Sequence, residues 1–84
     1  MVTLLYFASL RERLDRSSET LALPDGTPTV GDVVERLRSR EGPWAEAFAP
    51  GRDWRVAVNR GMAHPATPVK PGDEIAFFPP VTGG

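Results

Sequence analysis

Few side chains in this sequence could carry out chemistry unaided. It contains no cysteine, which excludes disulfides, thiolate metal sites and cysteine nucleophiles. Its single histidine, His64, is followed directly by Pro65, and such a proline-rich turn favours a solvated loop residue over a catalytic one. One histidine cannot supply a multi-histidine zinc site, and no carboxylates cluster at ligand spacing. Ser9, Ser17, Ser18 and Ser39 lack a G-x-S-x-G setting, and only one histidine could serve any of them as a base. What remains is the last segment, Pro79-Pro80-Val81-Thr82-Gly83-Gly84. Two prolines forbid continued ladder donation and favour a stiff extended path. At ~3.1 Å per residue, the segment could reach roughly 18 Å beyond a sheet. Gly83 and Gly84 offer no side chain for packing, so one interpretation is an ordinary frayed terminus. The other makes the Gly84 carboxylate the reactive group, delivered into a narrow channel of another protein. Gly83 would be the steric requirement beside it, because a backbone without Cβ can be closely enclosed. Self-contained catalysis is not expected.

Length and composition bound what could present such a tail. Eighty-four residues make one domain over 1–84, with residues 79–84 as its flexible end. A chain of this size buries only roughly 60–65% of the surface its unfolded form exposes, so its core is small. Hydrophobic residues at 40% and charged residues at 25% fit an ordinary soluble globular protein rather than a disordered tail. No apolar run approaches the ~20 residues of a membrane span, and no secretion signal is visible, which suggests the cytoplasm. Ten basic and eleven acidic side chains give a net charge of −1, which argues against general nucleic-acid binding.

The elements that must carry the tail follow from periodicity. Val2 to Ala8, rich in branched and aromatic residues, is expected as a central strand covered on both faces. Ser9 to Leu14 follows as a short helix, with Ser9 as cap and Glu12 in the capping-box position. Thr20 to Leu23 is a second strand, ended by a Pro24-Asp25-Gly26 turn. Thr29 to Ser39 is the clearest helix: Thr29 caps it, Asp32 lies three positions on, and Val30, Val33, Val34 and Leu37 fall at helical spacing. Gly42-Pro43 stops it, and Trp44 to Phe48 forms one more turn. Trp54 to Asn59 alternates as a third strand, Asn59-Arg60-Gly61 is a tight connection, and Met62-Ala63 is a short return strand. Lys70-Pro71-Gly72-Asp73 is a turn, and Glu74 to Phe78 is the last strand. A long helix between the second and third strands can cross one face of a mixed sheet whose first and last strands are adjacent at its centre. That is an α+β, β-grasp (ubiquitin-like) architecture.

The opening LLYFASLRE and the run VNRGMAHPATPVKPGDEIAFFPPVTGG closely resemble the MoaD family, the small sulfur-carrier subunits of molybdopterin synthase. The matching blocks include Val58-Asn59, Pro71-Gly72-Asp73-Glu74-Ile75 and the ending Phe78-Pro79-Pro80-Val81-Thr82-Gly83-Gly84. Gly42 to Arg52 carries no such signal. The resemblance implies a thiocarboxylate cycle in molybdenum cofactor biosynthesis. A MoeB-like enzyme would use ATP to adenylate the Gly84 carboxylate, and sulfur from a persulfide donor would displace AMP. The tail, with Pro79, Pro80, Val81 and Thr82 as partner contacts, would enter a MoaE-like large subunit within a heterotetramer. There its sulfur would pass to cyclic pyranopterin monophosphate to build the dithiolene. No cofactor or metal would be bound by the carrier itself. Carriers for thiamine or transfer-RNA thiolation share mainly the Gly-Gly, and a ubiquitin-like modifier or interaction module is the third alternative.

Strand alternation also suggests a docking surface. If Leu4, Tyr6, Ile75 and Phe77 face the Thr29–Ser39 helix, then Leu5, Phe7, Ala76 and Phe78 face away from it. Such an apolar patch is seldom left open on a small monomer without a partner, unless the Trp44–Phe48 turn or a loop covers it. Phe7 and Phe78 are the expected anchors. Arg11, Arg13 and Arg16 interleave with Glu12, Asp15 and Glu19, which makes a solvated face rather than a basic patch. Trp44 and Trp54, with no basic stripe beside them, are expected in or at the edge of the core.

Overall fold

Val2, Leu4 and Tyr6 alternate with Thr3 and Leu5, and this period of two makes the first strand, β1 (Val2–Tyr6). The computed structural model describes residues 1–23, 26, 28–51 and 53–79. The strand is shorter than expected and only one of its faces is fully buried. Phe7 stays extended, donating its N–H to the Phe77 carbonyl at 3.2 Å, and the chain then turns at Ala8 with φ 51°. Helix α1 (Ala8–Leu14) therefore starts from Phe7, whose carbonyl accepts from the N–H of Leu10 at 3.1 Å. Ser9 lies inside the helix and caps nothing, which corrects the expected Ser9–Glu12 box. The backbone of a strand residue holds the first turn instead. Leu10 and Leu14, four apart, are its buried face.

Strand β2 (Ser18–Leu21) pairs antiparallel with β1, Leu5 opposite Ser18 and Val2 opposite Leu21. It begins and ends two residues earlier than its apolar pattern suggests. The ladder ends at the Val2–Leu21 pair, so Leu23 lies beyond it. Leu21 and Leu23 still pack against the core. Helix α2 (Val30–Arg38) has the expected cap in full: the Asp32 N–H donates to Thr29 Oγ1 at 3.3 Å, and the Thr29 N–H donates to Asp32 Oδ2 at 2.8 Å. Val30, Val33, Val34 and Leu37 are all buried. A break at Gly42 (φ 60°) and Pro43 separates α2 from the single turn α3 (Pro43–Ala47).

Strands β3 (Arg55–Val58), β4 (Gly61–Ala63) and β5 (Glu74–Phe78) complete a sheet of order β2-β1-β5-β3-β4. β1 and β5 run parallel, and the other pairs are antiparallel. This is the expected β-grasp arrangement, with α2 across one face. Phe77 is the hub of the core: Phe48 and Trp54 meet it edge-on at 5.2 and 5.7 Å, and Tyr6 stacks on it at 6.0 Å. Both tryptophans thus lie at the core, as expected.

One polar network ties the outer strand β2 to the end of α2. Glu19 accepts from the Tyr6 hydroxyl at 2.9 Å and from both Arg40 terminal nitrogens at 2.8 and 2.7 Å, with Arg16 at 3.3 Å. The Arg40 guanidinium lies 4.5 Å over the Trp44 ring. Burial pushes the Glu19 carboxyl up, but the hydrogen bonds from Arg40 and Tyr6 and the two arginine charges outweigh it. The net effect holds Glu19 below its ordinary value near 4.5. A carboxyl depressed by folding stabilises the protein above its unfolded pKa and stops doing so as pH falls through the lower folded one. Glu19→Gln should therefore melt roughly 5 °C below the parent at about pH 6. It should also show a smaller loss of melting temperature as pH falls below about 5, where the parent begins to lose this contribution. Thermal melts of both proteins across that range test the expectation, and parallel acid limbs would reject it.

Candidate functional site

The face of the sheet turned away from α2 is built by register. Leu5 lies beside Ala76, Ala76 beside Ala57, and Ala57 beside Met62, so one row of side chains crosses β1, β5, β3 and β4. Two alanines at its centre make a low floor between larger neighbours. Next to it runs a second row. Phe7 continues past Tyr6, which pairs with Phe77, and so meets Phe78, and Phe78 is opposite Arg55. The Phe7 and Phe78 rings stack with centroids 5.0 Å apart and planes 8° apart.

The result is a groove of about 440 Å³ lined by Leu5, Phe7, Ala57, Met62, Ala76 and Phe78, with Arg60 and Glu74 at its rim. Phe7 is 41% and Met62 74% exposed, values that mark an unpartnered apolar surface rather than a second core. The Trp44–Phe48 turn does not cover it. Trp44 meets Tyr6 edge-on at 5.4 Å and Phe48 meets Phe77, both on the opposite, α2-bearing side.

Pro79 follows Phe78 immediately, at one end of this groove. Pro79 also borders a shallow hollow with Ser9, Leu10, Arg13 and Asp53. The remaining tail positions singled out by the sequence, Pro80, Val81, Thr82, Gly83 and Gly84, lie outside the described residues. Phe7 and Phe78 lie together on this face, and Pro79 lines the neighbouring hollow. Arg60, Glu74, Ala57 and Met62 were not anticipated as members of the face. Ala57 and Glu74 had a signal, since they alternate with Val56 and Ile75, but nothing local marks the other two.

The turn leading into β5 is tied by a buried carboxylate. Asp73, buried just before β5, accepts from Asn59 Nδ2 at 3.0 Å and from the Lys70 N–H at 2.9 Å. The Asn59 hydrogen bond, against opposing desolvation, holds its carboxyl below the ordinary range, helped by the Lys70 N–H and charge. The Asp73 N–H closes the Lys70–Asp73 turn on the Lys70 carbonyl at 3.1 Å, with Gly72 at φ 93°, as a type II turn requires. Among the described residues, no three His, Cys, Asp or Glu side chains gather where a metal could be held. His64 is an exposed loop residue whose N–H donates to Thr67 Oγ1 at 3.0 Å. No helix among the described residues is long and apolar enough to cross a membrane.

Known proteins share both the sequence and this fold. The chain is 40% identical over 84 residues to the molybdopterin synthase sulfur carrier subunit of Haemophilus influenzae, and 36% identical to that of Escherichia coli. In both cases the match covers 100% of each chain. Among solved structures, that of SAMP1 from Haloferax volcanii superposes with a TM-score of 0.80 at 31% identity, covering 99% of this chain and 98% of that one. The sequence model of the ThiS family matches residues 4–84, from within β1 through β5, and the chain belongs to the ThiS family.

Proposed function

We propose that this chain is a molybdopterin synthase sulfur carrier subunit, working through its C-terminal glycine. The observation that carries this beyond its relatives' names is the position of the groove. An apolar, partner-sized face ends where Phe78 passes into Pro79, so a protein seated on it receives the tail. The partners in this proposal are a MoaE-like large subunit, a MoeB-like adenylating enzyme and a persulfide sulfur donor, all in the cytoplasm. The carrier binds no cofactor, and ATP is used by the adenylating partner.

The chemistry needs help from outside because a carboxylate is a poor electrophile. Attack of a Gly84 carboxylate oxygen on the α-phosphate of ATP releases pyrophosphate and leaves an acyl-adenylate. The terminal sulfur of a persulfide then adds to the activated carbonyl and expels AMP. Cleavage of the remaining sulfur–sulfur bond by a thiol leaves Gly84 as a thiocarboxylate. Each sulfur given to cyclic pyranopterin monophosphate returns Gly84 to the carboxylate, and two such transfers make the dithiolene. With no cysteine in the chain, its carboxyl end is the one place where it can hold reactive sulfur.

Mass spectrometry tests the proposal after incubation with ATP, the cognate adenylating enzyme and a sulfur source. Exchange of oxygen for sulfur nearly equals methionine oxidation in mass, so the fragment read must exclude Met1 and Met62. Cleavage before Asp73 provides one. Replacement of one oxygen by sulfur at Gly84 is the expected result. An unmodified Gly84, with the enzyme active on another carrier, rejects the pairing. The likeness to SAMP1 supports a second possibility, that Gly84 is joined to amines of other proteins. Gly84-linked isopeptides in whole-cell digests would identify it.

A further inference from the structure

The connection between β3 and β4 holds a residue in a conformation that its type does not favour. Val58 pairs with Gly61, so Asn59 and Arg60 form a two-residue hairpin loop, and both have positive φ, 50° and 71°. Asparagine tolerates this region and is tied down here. Its N–H donates to the Glu74 carbonyl at 2.8 Å, its Oδ1 accepts from the Glu74 N–H at 3.0 Å, and its Nδ2 donates to buried Asp73. Arginine has no such reason to be left-handed, and glycine would take the same φ without strain. The Arg60 side chain makes no ion pair among the described residues. What the strained turn achieves is placement, because the exposed Arg60 lines the apolar groove at its Met62 end. Strain held by surrounding structure and aimed at a surface is a mark of function.

The geometry points to Arg60 as a specificity-determining contact for a carboxylate of the protein that fills the groove. The inference rests on the docking face described above. Seating an apolar partner removes water from the groove and its rim, so a guanidinium there needs an anion opposite it. Glu74 lines the same end of the groove, bonded through its backbone to Asn59, yet among the described residues its carboxylate makes no ion pair with Arg60, so the cation is left for an acid of the partner. The partner that fits is an apolar protrusion carrying one acidic side chain at its edge. A partner of the same shape without that acid leaves the cation unpaired and binds less tightly.

The test uses the full chain and the cognate large molybdopterin synthase subunit, with binding measured at low and high salt beside thermal melts. Arg60→Gly should raise the melting temperature by about 4 °C, since the strain is relieved. It should nevertheless bind about tenfold more weakly and lose much of the salt dependence. Arg60→Lys should stay within about threefold of the parent, and Arg60→Glu should fall by about a hundredfold. Unchanged affinity of Arg60→Gly overturns the inference and leaves the docking face intact. Lower affinity together with a lower melting temperature also overturns it, because the residue would then only hold the turn. If a Phe7→Ser/Phe78→Ser variant binds like the parent, the docking face itself is wrong and this inference falls with it.

Discussion

A Phe7→Ser/Phe78→Ser variant should fail to co-purify with the large subunit while still melting in a single cooperative step. Both rings lie on the open face, where they stack on one another, and neither belongs to the cluster of buried side chains around Phe77. Their contribution to the isolated domain is one half-buried aromatic pair, about 1 kcal/mol of stacking, with partial burial of each ring besides. On the docking proposed above, each ring would become a fully buried aromatic anchor, and such anchors cost about 2 kcal/mol or more when truncated. Two of them amount to a loss of roughly a thousandfold in affinity, beyond what a pull-down retains. Leu4→Ser provides the contrast. Leu4 is fully buried between the sheet and α2, so that change should weaken the melt itself. Retained co-purification of the double variant, with a normal melt, would move the interface elsewhere.

The same alternation explains what could be read from the sequence and what could not. Glu74 to Phe78 shows its two faces plainly, since Ile75 and Phe77 go to the core and Ala76 and Phe78 to the groove. The α2 helix was legible because its determinants are local. Thr29 and Asp32 close the cap within four residues, and the four buried positions follow one period. Failures came where a distant partner decides. Ser9 has the residue type of a cap, but the bond from Phe7 to Phe77 keeps the chain extended one residue longer, and the Phe7 carbonyl takes over. The ends of β2 depend on where β1 begins, and an apolar pattern cannot carry that information. Met62 and Arg60 join the face only because the β3–β4 hairpin reverses the chain through a left-handed turn. Asn59-Arg60 lacks the glycine that would have advertised such a turn. The tail is the reverse case, where residue type alone made it conspicuous.

Removal of Gly83 and Gly84 should leave the melting temperature within about 3 °C of the full chain, as expected for a terminal change remote from the core. Sulfur transfer should fall by more than a thousandfold, a barrier increase of about 4 kcal/mol or more. The first half follows from where the core stops. Among the described residues every buried hydrophobic side chain lies at or before Phe77, and the sheet closes with β5. The second half follows from the chemistry. The shortened chain still ends in a carboxylate, so adenylation is not forbidden by functional group. It is forbidden by reach and shape. Two missing residues withdraw the reacting carbon by about 6 Å, and a near-attack geometry tolerates far less than that. Thr82, now terminal, would also bring a branched side chain to the place where the proposed cycle has glycine. Affinity for the large subunit should change little, because the groove formed by Leu5, Phe7, Ala76 and Phe78 is intact. A carrier that docks but does not deliver sulfur would therefore act as a competitive inhibitor of the full-length chain, which steady-state assays mixing the two forms can measure. If the shortened chain supports transfer at the parental rate, the reactive carboxylate is not at Gly84. If it fails to inhibit, docking depends on the tail rather than on the face of the sheet.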